Sequence, residues 1–249
     1  GSFQESGLAL QGRGSIATQD ASLALMMADL EAPPSAANVP LSLSADVVKE
    51  GGNIAVDRIA GTVAGETVAG TAHFDTSGER TRFTLHADAG AVSLPSLLGV
   101  LVGWQRTPST EEGLGAVGAG ASEVWPSRGF ALGAIEHAEG ELKLNAKTQS
   151  HGHAFPLSGA RLAAQVTKEG LTVTDLRGGL FGGTFGASGS LSARGAGAEF
   201  EAIAELKGGK LEQVSAGIVG KGLAKGAFDL TFTAQGEGLS PPGLVAGLS

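Results

Sequence analysis

Residues 139–147 read Glu-Gly-Glu-Leu-Lys-Leu-Asn-Ala-Lys. Leu142, Leu144 and Ala146 alternate with Glu141, Lys143, Asn145 and Lys147. A helix would scatter these apolar residues around its axis, whereas a strand puts them all on one face. The same period of two recurs along the chain. Phe83, Leu85 and Ala87 alternate with Thr84, His86 and Asp88. Phe200, Ala202, Ala204 and Leu206 alternate with Glu199, Glu201, Ile203 and Glu205. Phe228, Leu230 and Phe232 alternate with Asp229, Thr231 and Thr233. Strands with one apolar and one polar face belong to antiparallel sheets wetted on one side. Turn strings such as Lys-Glu-Gly and Ala-Arg-Gly separate them at roughly ten-residue spacing.

Working outward, the chain repeats itself. Val47-Val-Lys-Glu-Gly-Gly52 is echoed by Val166-Thr-Lys-Glu-Gly170. Ile54-Ala-Val-Asp57 is echoed by Leu171-Thr-Val-Thr-Asp175. Glycines follow in both copies: Gly61, Gly65 and Gly70, then Gly178, Gly179, Gly182, Gly183 and Gly189. Both copies converge on a helical pattern. Leu94, Leu97, Leu101, Val102 and Gly103 match Leu211, Val214, Ile218, Val219 and Gly220, each pair 117 residues apart. Upstream the spacing widens to 118 or 119, which short loop insertions explain. Helices are therefore expected from about Leu94, capped by Ser93, and over Leu211 to Val219. Asp20 to Leu30 fits either element, and the β surroundings favour a strand. Residues 104–128, with Thr-Pro-Ser-Thr-Glu-Glu and a Gly/Ala run, read as a flexible Gly/Ala/Ser/Pro linker. The expected organisation is a first β unit over 1–103, that linker, and a second β unit over 129–249. Whether the units share one sheet stays open.

Composition narrows the function. The chain has 249 residues, 42% apolar and only 17% charged, which suits a folded protein. Its 41 glycines should mark turns, bulges and close backbone approaches. A net charge of −8 with no basic cluster excludes an ordinary nucleic-acid footprint. Zero cysteines exclude disulfides and thiolate metal sites. The apolar run from Leu94 to Trp104 is about half the length of a membrane span. Gly1-Ser2 reads as the remnant of a cleaved tag, and the chain as a piece of a longer protein.

No catalytic constellation stands out, and the expectation is a protein that is not an enzyme and needs no cofactor or metal. Gly113-Leu-Gly-Ala-Val-Gly118 spells a dinucleotide-binding string, but lacks the strand, helix and acidic residue that its mechanism needs. His151 and His153 sit two apart without a nearby carboxylate to complete a metal site. His73, His86 and His137 stand alone. Glu111-Glu112 and the acids at 199, 201 and 205 could pair for acid–base work, but the last three alternate along one strand face and read as a wet outer face.

Several segments then run in a familiar order. These are Trp125-Pro-Ser-Arg-Gly-Phe130, Glu139 to Ala146, Phe155-Pro-Leu-Ser-Gly-Ala-Arg-Leu-Ala-Ala164, and Gly170-Leu-Thr-Val-Thr-Asp-Leu176. Leu180-Phe-Gly-Gly-Thr-Phe-Gly-Ala-Ser-Gly-Ser-Leu191 and Gly236-Glu-Gly-Leu-Ser240 complete the series. Their order resembles the C-terminal region of the AsmA family of Gram-negative envelope proteins. The match is good over 125–249 and looser over 40–103. It implies a periplasmic protein anchored to the inner membrane by a span outside this sequence. It also implies a lipid-binding or lipid-transfer role, or a part in outer-membrane assembly, with phospholipid or another acyl lipid and envelope proteins as partners.

The fold expected is all-β with a few short helices: the residues alone leave a two-sheet sandwich, a closed barrel or a curled sheet open, and the resemblance implies that the two repeated antiparallel units form a curved, open sheet. Two short helices cannot cover so many apolar strand faces. Small inward residues such as Ala87, Ala146, Ala187, Ala202 and Ala204 fill a closed core poorly and leave room for acyl chains. The residues expected to line an apolar groove are Phe83, Leu85, Ala87, Leu142, Leu144, Phe181, Phe185, Phe200, Phe228, Leu230 and Phe232. The competing expectation is a non-catalytic β-scaffold or protein-interaction module of the envelope with a filled core.

Overall fold

The computed structural model describes residues 9–20, 40–63, 65–93, 138–149, 156–194, 197–219 and 224–238. The first expected helix, the linker over 104–128, the Gly113–Gly118 string, Glu111-Glu112 and His137 all lie outside these residues. So do His151, His153 and the ambiguous stretch beyond Asp20.

The strands are β1 (Ala9–Thr18), β2 (Leu41–Glu50), β3 (Asn53–Val63), β4 (Glu66–Asp75), β5 (Thr81–Ser93) and β6 (Ala138–Gln149). They continue with β7 (Pro156–Thr167), β8 (Gly170–Leu180), β9 (Gly183–Arg194), β10 (Gly197–Lys210) and β11 (Ala227–Gly238). Helix α1 (Leu211–Val219) joins β10 to β11, over the residues the periodicity marks out. Glu212 sits in its first turn, where a negative charge suits the helix dipole. The Leu211 N–H donates to the Gly226 carbonyl at 2.9 Å, tying the helix start to the approach to β11.

All eleven strands form one open sheet whose spatial order is the chain order. The two units therefore share a sheet, the point the sequence leaves open. Every neighbouring pair is antiparallel except β5 and β6, which run parallel with Thr81 opposite Ala138. A parallel pair needs a crossover connection, and residues 94–137 supply its length. At its end β5 also pairs with β7, Val92 with Leu157 and Ser93 with Pro156.

The repeat is visible in the ladder. Strands β3 and β8 begin at Asn53 and Gly170 and end at Val63 and Leu180, both pairs 117 apart. Strands β4 and β9 begin at Glu66 and Gly183, again 117 apart. The same bulge falls between Val56 and Ile59 and between Val173 and Leu176. The wider upstream spacing read from the sequence is corrected here. Strand β2 turns at Gly51-Gly52, since Glu50 pairs with Asn53. Strand β7 turns at Lys168-Glu169, since Thr167 pairs with Gly170. The Lys-Glu-Gly string thus occupies a strand end in one copy and a turn in the other. Register, not the string, carries the equivalence.

Bulges increase local twist, and a strongly twisted sheet of this width curls instead of lying flat. Glycine permits close strand approach within it. A Cβ at Gly189 would stand 2.5 Å from the Glu201 carbonyl oxygen. The Leu-Phe-Gly-Gly segment is a tight hairpin: Leu180 pairs with Gly183, and Phe181 and Gly182 have φ of 50° and 73°. Two successive positive φ values are the type I′ geometry that matches strand twist. Phenylalanine is an unusual occupant of that position. Its ring packs against the core, and its carbonyl accepts the Lys210 N–H at 2.8 Å.

Gly189→Val is expected to lower stability by about 2 kcal/mol, because the clash is with backbone. Ser188→Val, on the exposed face next door, should shift it by under about 0.5 kcal/mol. Urea unfolding of the two variants checks this, and equal effects would contradict the close approach.

Candidate functional site

Residues opposite each other across a strand pair share a face of the sheet, so the registers map both faces. One line of partners runs Phe74, Phe83, Gly140, Val166, Leu171, Leu191, Phe200 and Gly236. The next runs Ala72, Leu85, Leu142, Ala164, Val173, Gly189, Ala202 and Ala234. The third runs Gly70, Ala87, Leu144, Leu162, Leu176, Ala187, Ala204 and Phe232. These rows cross eight strands without a charged or hydrogen-bonding side chain. They extend into β3 and β2 through Ile54, Val56, Val47 and Leu43, and charge enters only near strand ends, at Lys49 and Glu66. With strands about 4.8 Å apart, the apolar face is roughly 48 Å wide.

Ten of the eleven expected groove residues lie on this face. Phe83, Leu85 and Ala87 come from β5, Leu142 and Leu144 from β6, Phe185 from β9 and Phe200 from β10. Phe228, Leu230 and Phe232 come from β11. Phe181 lies instead in the β8–β9 turn, half-buried against the cluster that includes Leu180 and Phe185.

Coverage of the face is uneven. Over β7–β10 it is filled by its own side chains: Leu157 is 0% exposed, and Leu162, Leu176, Leu180, Phe185 and Leu206 are buried with it. A second buried cluster joins Ala164, Leu171, Leu191 and Ala198. Over β2–β6 the large residues Leu43, Val47, Ile54, Phe74, Phe83, Leu85, Leu142 and Leu144 are only half-buried. At β11, Leu230 and Phe232 are 55% and 52% exposed. Among the described elements, the extensive contacts run only between strands paired in the sheet, with no second layer over it.

The opposite face is polar. Its His86, Lys143, Asn145, Arg161 and Asp175 line a shallow depression of about 650 Å³ together with Arg58. The alternation alone does not reveal this hollow. A signal for it exists, because both equivalent bulges carry charge, Asp57-Arg58 in β3 and Asp175 in β8. Arg58 has φ of 50° and pairs with Asp46, which also accepts from Arg13 at 2.8 Å. Asn145 donates to Asp88 at 3.2 Å. Ile203 lies on this face, 52% exposed, where the alternation puts it.

Shifted ionisations sit at turns and rims, away from the apolar face. Hydrogen bonds from the Ser77 hydroxyl and N–H hold the Asp75 carboxyl below its ordinary range. A hydrogen bond with Thr167 does the same for Glu169, and the backbone N–H groups of Glu212 itself and of Gly226 do so for Glu212. Glu139, at 2.8 Å, raises Arg82, and Glu205, at 2.9 Å, raises Lys207. No group of three or more potential metal ligands occurs among the described residues.

No family model, curated protein or solved structure matches this chain.

Phe185→Ala is expected to cost about 3 to 4 kcal/mol, and Phe232→Ala less than about 1. Denaturant titration checks the contrast, and equal costs would contradict a face that is filled at β9 and open at β11. Depressed carboxyls stabilise the fold above their unfolded pKa of about 4 and lose that contribution as pH falls through their lowered values. Thermal melts from pH 6 to pH 2 should therefore show Asp75→Asn losing less stability on acidification than the parent protein.

Proposed function

We propose that this chain is a periplasmic lipid-binding or lipid-transfer protein of the AsmA type, or one serving outer-membrane assembly. In this reading the apolar face of the curved sheet holds acyl chains. The protein would be held to the inner membrane by a segment outside this sequence, with phospholipid or another acyl lipid as ligand and envelope proteins as partners. One observation supports the reading above the others: an apolar face continuous across the sheet, half-open over β2–β6, with charge only near its margins. Large exposed apolar surfaces are interaction sites, because leaving them in water is costly. Alanines and glycines between the larger side chains would leave room for acyl chains.

The chemistry is physical and not covalent. Acyl chains would displace water from Phe83, Leu85 and Leu142, gaining about 0.8 kcal/mol for each buried methylene. Headgroups would stay at the strand ends, where Lys49 and Glu66 stand. The reading assigns no catalytic step and no cofactor. A second reading, a non-catalytic scaffold, draws on the filled face over β7–β10. If it held, only protein surfaces would dock here.

Leu85→Asp separates the two. Leu85 lies between Ala72 and Leu142 on the half-open part of the face. An unpaired charge there should weaken uptake of a fluorescent fatty-acyl probe about tenfold or more. His86→Asp, on the polar face, should leave uptake unchanged, and circular dichroism checks that both variants fold. Uptake by Leu85→Asp equal to that of the parent would overturn the lipid reading.

A further inference from the structure

Strands β1 and β11 are the two ends of the open sheet, and among the described residues no further strand pairs with either. Edge strands are normally blunted by proline, by inward-pointing charge or by shortness. Here they run 10 and 12 residues, contain no proline, and carry Arg13, Asp229 and Glu237 on the polar face only. Leu10 is 56% exposed on one edge, matching Leu230 and Phe232 on the other.

The fold itself indicates what such an edge accepts. Strand β1 stands against β2 as β6 stands against β7, with Leu10 opposite Lys49 and Gly140 opposite Val166. The outer edge of β6 is occupied by β5. The equivalent edge of β1 has no partner strand among the described residues. At the far end, β11 runs antiparallel to β10, and no strand among the described residues pairs with its outer edge. Because β1 has the direction of β6, and β10 that of β5, continuing the sheet past β11 with another β1 gives an antiparallel pair. The twist and the apolar rows would carry on across the joint.

We infer that β11 of one copy of this chain pairs with β1 of a second copy, extending the sheet head to tail. Side-chain size sets the register. Leu230 falls opposite Gly14, Phe232 opposite Gly12, and Ala234 opposite Leu10. Large residues thus meet small ones in these three pairs, with Phe228 opposite Ile16 next to them, and a Cβ at Gly12 or Gly14 has nothing within 4 Å, so the space for the partner's Leu230 and Phe232 is open. A ring laid over a cross-strand glycine covers backbone that the glycine leaves bare. The contact is heterologous, so it propagates instead of stopping at a dimer. It is independent of what the apolar face carries.

The test uses the whole chain, and the absence of cysteine makes it clean. The double variant Gly14→Cys/Leu230→Cys should give a ladder of disulfide-linked oligomers under mild oxidation. Gly14→Cys/Ile203→Cys, with its second thiol on the other face, should stay monomeric. Sedimentation velocity of the parent should show concentration-dependent association, weakened about tenfold or more by Phe232→Glu and by Gly12→Lys. Mixing those two variants should restore it, because the new charges then face each other. A parent that stays monomeric at every concentration, association that ignores both substitutions, or equal cross-linking of the two cysteine pairs would overturn the inference.

Discussion

Everything in this protein depends on keeping one strand face in register across eleven strands. A slip of one residue at any pair would turn that strand's apolar residues to the polar side. The ladder prevents this with tight hairpins and with bulges at equivalent places in the two halves. Each bulge inserts residues without transferring the following apolar position to the other face. After the irregularity between Val173 and Leu176, Leu176 still meets Ala187 on the apolar side. The bulges also supply the twist that curls so wide a sheet.

A sheet with one apolar face must hide it, and this chain does so unequally. Over β7–β10 the side chains are large and close together, and they bury one another. Over β2–β6 the same rows hold residues that remain half in water. The repeat makes this contrast informative, since the two halves share hairpins, bulges and strand positions. The difference lies in side chains: Gly70 and Ala72 in β4 stand where Ala187 and Gly189 stand in β9, yet the leucines and Phe185 around the latter close the surface. One backbone plan thus gives a packed half and a half-open one.

Much of this was legible in the sequence. Period-two alternation identifies β5, β6, β10 and β11 and puts Leu85, Leu142, Phe200 and Phe232 on a shared face, because alternation is a local property of extended chain. The helix at Leu211–Val219 is legible for the same reason. Sharing of one sheet by both units is not, because the joint between β5 and β6 is a parallel pair across a long connection. The fine repeat spacing is misread at Lys49-Glu50, where a similar string occupies a strand end in one copy and a turn in the other. Phe181 is displaced from the rows because a two-residue turn with positive φ consumes it. The polar hollow around Arg161 is not readable from the alternation, since it is made by residues from six strands, β3 to β8, that only the register brings together.

Native mass spectrometry, followed by organic extraction, of protein purified without detergent tests the central claim that the half-open apolar face takes up acyl lipid. The account expects lipid to remain bound through gel filtration at a fixed stoichiometry. A clean apo mass from protein that is folded, and that stays apo after exposure to phospholipid vesicles, would contradict it.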